Sequence, residues 1–97
     1  MREIQNIRPL QSLLMAYLRA EGLETPLLEY RIMHAWEELM GPVIMRYTRQ
    51  VYVRQGMLHV QLSSSALKQN LMMEHKQLTK RLNDHVGSLV ISDVKFV

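Results

Sequence analysis

The sequence lacks cysteine, so neither a disulfide framework nor a Cys-based zinc site can form. Its longest apolar runs are only a few residues, far short of the ~20 residues that a membrane-spanning helix needs. The N-terminal residues contain no apolar signal-peptide centre, and the chain has no internal repeat or low-complexity segment. From these absences we expect a cytoplasmic protein with no membrane partner.

The length of 97 residues predicts one domain over residues 1–97, with a modest core made by one sheet and a few helices. The net charge of +3 permits nucleic-acid binding without requiring it. Its distribution is more informative. Five acids and one base occur from Glu21 to Glu38, whereas basic residues dominate from Arg46 to Lys80, where Glu74 is the only acid.

Apolar residues recur at helical spacing in two segments before residue 42. The first helix is predicted to start near Pro9 and to end before Gly22. The second is predicted to take Thr25 as its N-cap, to bury Trp36 and to end at Gly41. A short turn over residues 43–45 would then lead into a hairpin.

The hairpin can be aligned from the sequence alone. A two-residue turn at Gln55–Gly56 would pair Val53 with Leu58 and Val51 with Val60, on one covered face. The opposite face, left to water or a partner, would carry Gln50, Tyr52, Arg54, Met57, His59 and Gln61.

The serines at 63–65 predict a helix cap, followed by a single long helix that Gly87 ends. In a final strand from Val90, one face would carry Val90, Val94 and Phe96, and the other Ile91, Asp93 and Lys95. The prediction is therefore an α+β (mixed α/β) fold of order α-α-β-β-α-β, with helices on one face of a three-stranded sheet. A right-handed crossover would join the last two strands, and the third strand could lie beside either of the others. The predicted core includes Trp36, Gly41, Val51, Val53, Leu58, Val60, Leu71, Leu82 and Phe96.

An ordered set of these residues resembles the DciA family of small bacterial proteins. The set comprises Trp36 with Gly41, the strand 51–53, residues 56–60, residues 63–67 with Gln69 and Leu71, Leu82 with Asn83, Gly87, and residues 94–96. The resemblance implies a fold similar to a K-homology (KH) domain. It also implies a role in bacterial replication, in which the protein engages the DnaB-type replicative helicase and binds DNA itself. Many members carry a further basic extension, which this sequence does not contain, and a KH-type Gly-x-x-Gly loop for reading RNA is absent.

The open hairpin face is the first candidate site for single-stranded or forked DNA. Tyr52 and His59 could stack on bases, Arg54 could contact phosphate, and Arg46 with Arg49 precede them. The alternative is an ordinary solvated sheet face, on which such residues are common.

A second candidate is the N-terminus of the third helix, where Ser64 and Lys68 could bind a phosphate and Lys76 with Lys80 could add contacts. Simple helix capping and a solubilising surface are the alternatives.

The sequence shows no catalytic constellation and no metal-ligand spacing among its four histidines. We therefore predict a non-enzymatic adaptor without cofactor or metal. The alternative function is a protein-interaction module that docks through its acidic second helix or exposed methionines and binds little nucleic acid. Weak self-association through a sheet edge is also open.

Overall fold

The computed structural model describes residues 7–97, with side chains from residue 12 onward. Its elements are α1 (Ile7–Ala20), α2 (Glu24–Tyr47), β1 (Thr48–Arg54), β2 (Met57–Leu62), α3 (Ser65–Met72), α4 (His75–Val86) and β3 (Asp93–Phe96). The mixed α/β class with one three-stranded sheet is confirmed, and the observed order is α-α-β-β-α-α-β. The closer likeness to a KH domain stays a prediction.

The sheet has the strand order β1-β2-β3. The hairpin register is confirmed, with Val53 opposite Leu58 and Val51 opposite Val60. Gln55 and Gly56 have φ angles of 54° and 75°, as a type I′ hairpin turn requires. β3 lies parallel to β2, so the third strand lies beside the second, a question that the sequence left open.

The core lies between the helices and the covered face of the sheet. Trp36 of α2 is fully buried, and its ring centroid lies 5.8 Å from that of Phe96 in β3. From the sheet and the later helices, buried apolar side chains come from Leu58, Val60, Leu71, Leu78, Leu82, Val86 and Val94. Val51 and Val53 are half-buried against this cluster.

A kink divides α2 near its C-terminal end. Gly41 has φ 79° and ψ 177°, outside the helical region, and Pro42 opens a second helical segment. The predicted turn over residues 43–45 is therefore wrong, because proline suits the first position of a new helical turn. The predicted cap at Thr25 is also wrong, since the helix begins at Glu24 and no side chain caps it.

The predicted single third helix is interrupted and forms two helices. Met73 and Glu74 lie between α3 and α4, and the Glu74 amide donates to the Leu71 carbonyl at 3.0 Å. Leu71 and Leu78 lie seven residues apart, a spacing that fits one continuous helix, so the apolar pattern conceals the break.

The segment between α4 and β3 is held by Asn83, which is buried. Its amide donates to the Ile91 carbonyl at 2.8 Å, and its Oδ1 accepts from the amides of Val90 and Ile91 at 3.0 and 3.1 Å. Ile91 is therefore buried, and the prediction that it shares a face with Lys95 is wrong. The strand alternation does not reach Ile91, because β3 begins only at Asp93.

The apolar face of α1 is exposed. Leu13, Leu14 and Tyr17 are 69%, 55% and 61% exposed, although they follow the helical spacing that usually marks a buried face. α1 packs against α2, and no other described element covers these three side chains.

Candidate nucleic-acid interface

The side of the sheet opposite the core carries a row of three side chains, one from each strand. Tyr52 of β1 pairs with His59 of β2, and His59 pairs with Lys95 of β3. Their neighbours Leu58 and Val94 point into the core, so the three side chains share the other face. We call this surface the open sheet face; it comprises Gln50, Tyr52, Arg54, Met57, His59, Gln61, Asp93 and Lys95.

The aromatic rings of Tyr52 and His59 are stacked on each other. Their centroids lie 4.8 Å apart and their planes differ by 4°. Each ring therefore uses one face for the other ring and keeps its outer face, and both side chains are half-buried. A base could stack on the outside of this pair, which forms a flat and pre-ordered platform.

Positive charge surrounds the stacked pair. Arg54 and Lys95 are exposed, and no aspartate or glutamate occurs from Leu39 to Met73, which includes all of β1, β2 and α3. Proteins that bind single-stranded nucleic acid combine cationic groups, which contact the phosphates, with aromatic rings, on which the bases stack.

Asp93 is the one carboxylate on the open sheet face, beside Met57 in the strand register. It is paired with His75, whose Nδ1 lies 2.8 Å from Oδ1 of Asp93. This hydrogen bond lowers the pKa of the Asp93 carboxyl below its ordinary value, with smaller support from the Val94 amide and the charge of Lys76. The Asp93 carboxylate thus lies on the edge strand β3, paired with the first residue of α4.

The two arginines that precede the hairpin lie in different surroundings. Arg49 is exposed at an irregularity in the β1–β2 pairing between Thr48 and Gln50, where the strand enters the sheet. Arg46 lies in the last turn of α2 and lines a shallow groove that also contains Glu37 and Glu38. Arg49 therefore extends the positive charge at the hairpin, while Arg46 contributes to a surface of mixed charge.

The two serines before α3 make different hydrogen bonds. The Ser64 hydroxyl accepts from the Leu67 amide at 3.2 Å, and the Ser63 hydroxyl donates to the Tyr47 carbonyl at 3.3 Å. The capping prediction therefore holds for Ser64, whereas Ser63 does not cap α3 and instead bonds to the last residue of α2. Lys68, one turn later, is half-buried, and a phosphate site here remains a prediction.

Lys80 of α4 lies apart from the row. Leu78 and Leu82 pack α4 onto the covered face of the sheet, so the exposed Lys80 points toward solvent on the other side of the molecule. Its Nζ lies 2.7 Å from Oδ2 of Asp84, a bond that raises the pKa of Lys80. Lys76 is exposed near the start of the same helix.

Lys95 was missed as a candidate binding residue. Alternation within the last strand placed it opposite Phe96, but the sequence left open which strand β3 joins. The parallel pairing of β3 with β2 brings Lys95 next to His59, a contact between residues far apart in the chain.

A polar cleft between α2 and α4 was also not predicted. It has a volume of about 370 Å³, and its lining includes Tyr30, Arg31 and His34. At its edge Nε2 of His85 lies 2.8 Å from Oε2 of Glu38. Within residues 7–97 no three histidine or acidic side chains are grouped to hold a metal ion, and no helix is long and apolar enough to cross a membrane.

Comparison with known proteins gives one family. The family model described as "Dna[CI] antecedent, DciA" matches residues 9–96, which is nearly the whole chain. No curated protein gives a significant match.

Proposed function

Because the chain belongs to the DciA family, whose role is in DNA replication and helicase loading, we propose that it is a non-enzymatic adaptor of bacterial replication. In this proposal it acts in the cytoplasm, binds single-stranded or forked DNA on the open sheet face and engages the DnaB-type replicative helicase. Family membership supports the link to replication, and the geometry of the sheet supports the DNA-binding site.

The row Tyr52–His59–Lys95 is the observation that carries the proposal. A stacked aromatic pair offers a platform that tolerates any base, since every base has a flat face. Lys95 at one end and Arg54 beside Tyr52 supply cations for the phosphates on either side of a stacked base. Single-stranded DNA fits this arrangement better than duplex, whose bases are already stacked on one another.

Fluorescence anisotropy with labelled single-stranded, forked and duplex DNA, at two salt concentrations, tests the proposal. We expect preference for the first two and a steep loss of affinity with salt. Tyr52→Ala should weaken binding about tenfold, in line with ~1–3 kcal/mol for a stacking contact. Arg54→Ala should weaken it by a similar factor, because it removes a contact to phosphate. Arg81→Ala is the matched control, because Arg81 is an exposed arginine on α4, away from the row. If neither Tyr52→Ala nor Arg54→Ala changes the affinity for DNA, the open sheet face is not the DNA-binding site.

A second candidate function, a protein-interaction module with little nucleic-acid affinity, is favoured by the exposed face of α1. Leu13, Leu14 and Tyr17 form a stripe at helical spacing, the pattern by which a helix docks against an apolar groove of a partner. Given the family, the partner we assign to this stripe is the replicative helicase.

Pull-down with purified DnaB-type helicase separates the two functions. The variant Leu13→Ser/Tyr17→Ser should lose helicase binding and keep DNA binding. Leu89→Ser, a change at a side chain that is 92% exposed outside α1, is the control that should keep both. A chain that binds helicase but no DNA even at low salt would be a docking module alone, whereas unchanged helicase binding by the α1 variant would exclude the stripe.

A further inference from the structure

We propose that His59 takes up a proton when DNA phosphate reaches the open sheet face, so that affinity for single-stranded DNA rises as the pH falls. This inference rests on the proposed DNA-binding function and adds a regulation that the function alone does not require. The proton comes from the solvent, and the imidazolium that forms shares the phosphate charge with the cations beside it.

The position of His59 in the sheet is the first argument. It lies in the central strand, between the Tyr52 ring on β1 and the Lys95 side chain on β3. Its half-buried ring is stacked at 4.8 Å on Tyr52 and so keeps a fixed place in the row. A phosphate that contacts Lys95 therefore binds at the residue directly beside His59 in the sheet.

The charges around His59 are the second argument. Lys95 is the charged residue directly beside His59 on the same face. Arg54 on β1 and Asp93 on β3 are also charged, and each pairs with Met57, two residues before His59. Asp93 is occupied by His75, so two cations and a paired carboxylate surround the ring. A bound phosphate favours a positive charge on an imidazole beside it. DNA binding and protonation of His59 are therefore coupled.

The other histidines have different partners. His75 and His85 each lie 2.8 Å from a carboxylate oxygen, of Asp93 and Glu38 respectively, and His34 stacks at a tilt on Tyr30 in α2. In the described part of the chain, His59 is the histidine whose ring lies in the row itself, while His75 contacts the open sheet face through Asp93. Imidazole changes charge between about pH 5 and 8, so this coupling acts in the range in which most binding assays are performed.

The test measures binding of labelled oligothymidylate at about pH 8 and pH 6, at constant salt, since thymine takes up no proton in this range. Uptake of one proton raises affinity by at most about tenfold per pH unit, and partial uptake gives less. We expect at least a threefold gain for the unaltered protein. His59→Phe keeps a ring beside Tyr52 but cannot be protonated, so its affinity should not change with pH, whatever its value at pH 8.

His85→Gln is the control, because it removes a histidine from the α2–α4 cleft and should keep the gain at low pH. An NMR titration gives a second readout: the imidazole signals of His59 should shift toward those of the protonated ring when oligothymidylate is added at about pH 7. Binding that is equally tight at both pH values, or a gain that persists in His59→Phe, would overturn the inference and leave the DNA-binding function intact. Absence of binding at either pH would overturn both.

Discussion

His75 and Asp93 form a hydrogen-bonded pair, with 2.8 Å between Nδ1 and Oδ1, that joins the first residue of α4 to the first residue of β3. The Asp93 carboxylate also accepts from the Val94 amide at 2.8 Å. The Asp93 side chain therefore connects the start of α4, which follows the break after α3, to the start of β3.

Asp93 should contribute to stability in a pH-dependent way. Because its pKa is lowered in the folded state, its contribution is present above the unfolded value of about 4 and is lost as the pH falls through the lower, folded value. Asp93→Asn should lower the free energy of unfolding at neutral pH by less than about 1 kcal/mol, since the pair is more than one third exposed.

Urea unfolding of both proteins from neutral pH to about pH 3 measures this effect, and the two stabilities should converge at the acidic end. Asp84→Asn is the comparison, since its pair with Lys80 is more exposed and should matter less. A constant difference between Asp93→Asn and the unaltered protein across this range would contradict the prediction.

Asn83 should be one of the most costly polar residues to replace. Asn83→Ala leaves the amide and the carbonyl of Ile91 without their partner, while the Val90 amide keeps its bond to the Ser88 carbonyl at 3.1 Å. Unsatisfied buried polar groups cost about 1–3 kcal/mol each. We expect a loss of about 2–4 kcal/mol in urea unfolding. Asn70→Ala, at an exposed helical asparagine, is the control and should cost under about 0.5 kcal/mol. Similar losses in the two variants would refute the role assigned to Asn83.

The hairpin turn should respond oppositely to two substitutions. Gly56→Ala places a side chain at φ 75° and should destabilise the protein by about 1–2 kcal/mol. Gln55→Asn should stabilise it by a few tenths of a kcal/mol, because asparagine tolerates the positive φ of 54° better than glutamine. Thermal unfolding measures both. A stabilising Gly56→Ala would mean that the turn adopts another type.

Lys95 and Lys80 should differ in their effect on salt dependence. Each phosphate contact on single-stranded DNA contributes about 0.7 to the slope of log affinity against log salt. Lys95→Gln should lower that slope by about this amount. Lys80→Gln should leave it unchanged, because Lys80 is paired with Asp84 on the solvent side of α4. Equal slopes for the two variants would argue against the row as the site of DNA contact.

The local parts of the fold could be read from the sequence. The hairpin register follows from a turn dipeptide, and in that register alternation places Val51, Val53, Leu58 and Val60 on one face. The buried stripe of α2 around Trp36 follows from helical periodicity in the same way.

Several errors involve contacts between residues far apart in the chain, which local patterns do not show. No glycine or proline marks the break before α4, and the helix that follows begins at His75, which bonds to Asp93 eighteen residues later. Ile91 is held inward by Asn83, whose side chain replaces the pairing that a strand would have made. The exposure of the apolar face of α1 was not predicted, because periodicity shows that a helix face is apolar but not whether the rest of the chain covers it.

The candidate site was half predictable for the same reason. Tyr52, Arg54 and His59 are on one hairpin, so alternation places them together. Lys95 joins them only through the parallel pairing of β3, which no local pattern specifies. The stacking of Tyr52 on His59 could not be predicted from the sequence, which shows only that both rings lie on the same face.

The central position of β2 has a consequence for how the protein folds. Its pairing with β1 joins residues from 3 positions apart (Arg54 and Met57) to 14 positions apart (Thr48 and Leu62). Its pairing with β3 joins residues 36 positions apart, such as Met57 and Asp93, across α3 and α4. Closing the longer loop costs more chain entropy, so the hairpin should form early and the parallel strand should dock late. Substitutions at the turn should then slow folding, while substitutions at Val94 or Phe96 should mainly accelerate unfolding. The covered face of the sheet is thus completed by the last strand to arrive, and the lifetime of the native state is set there.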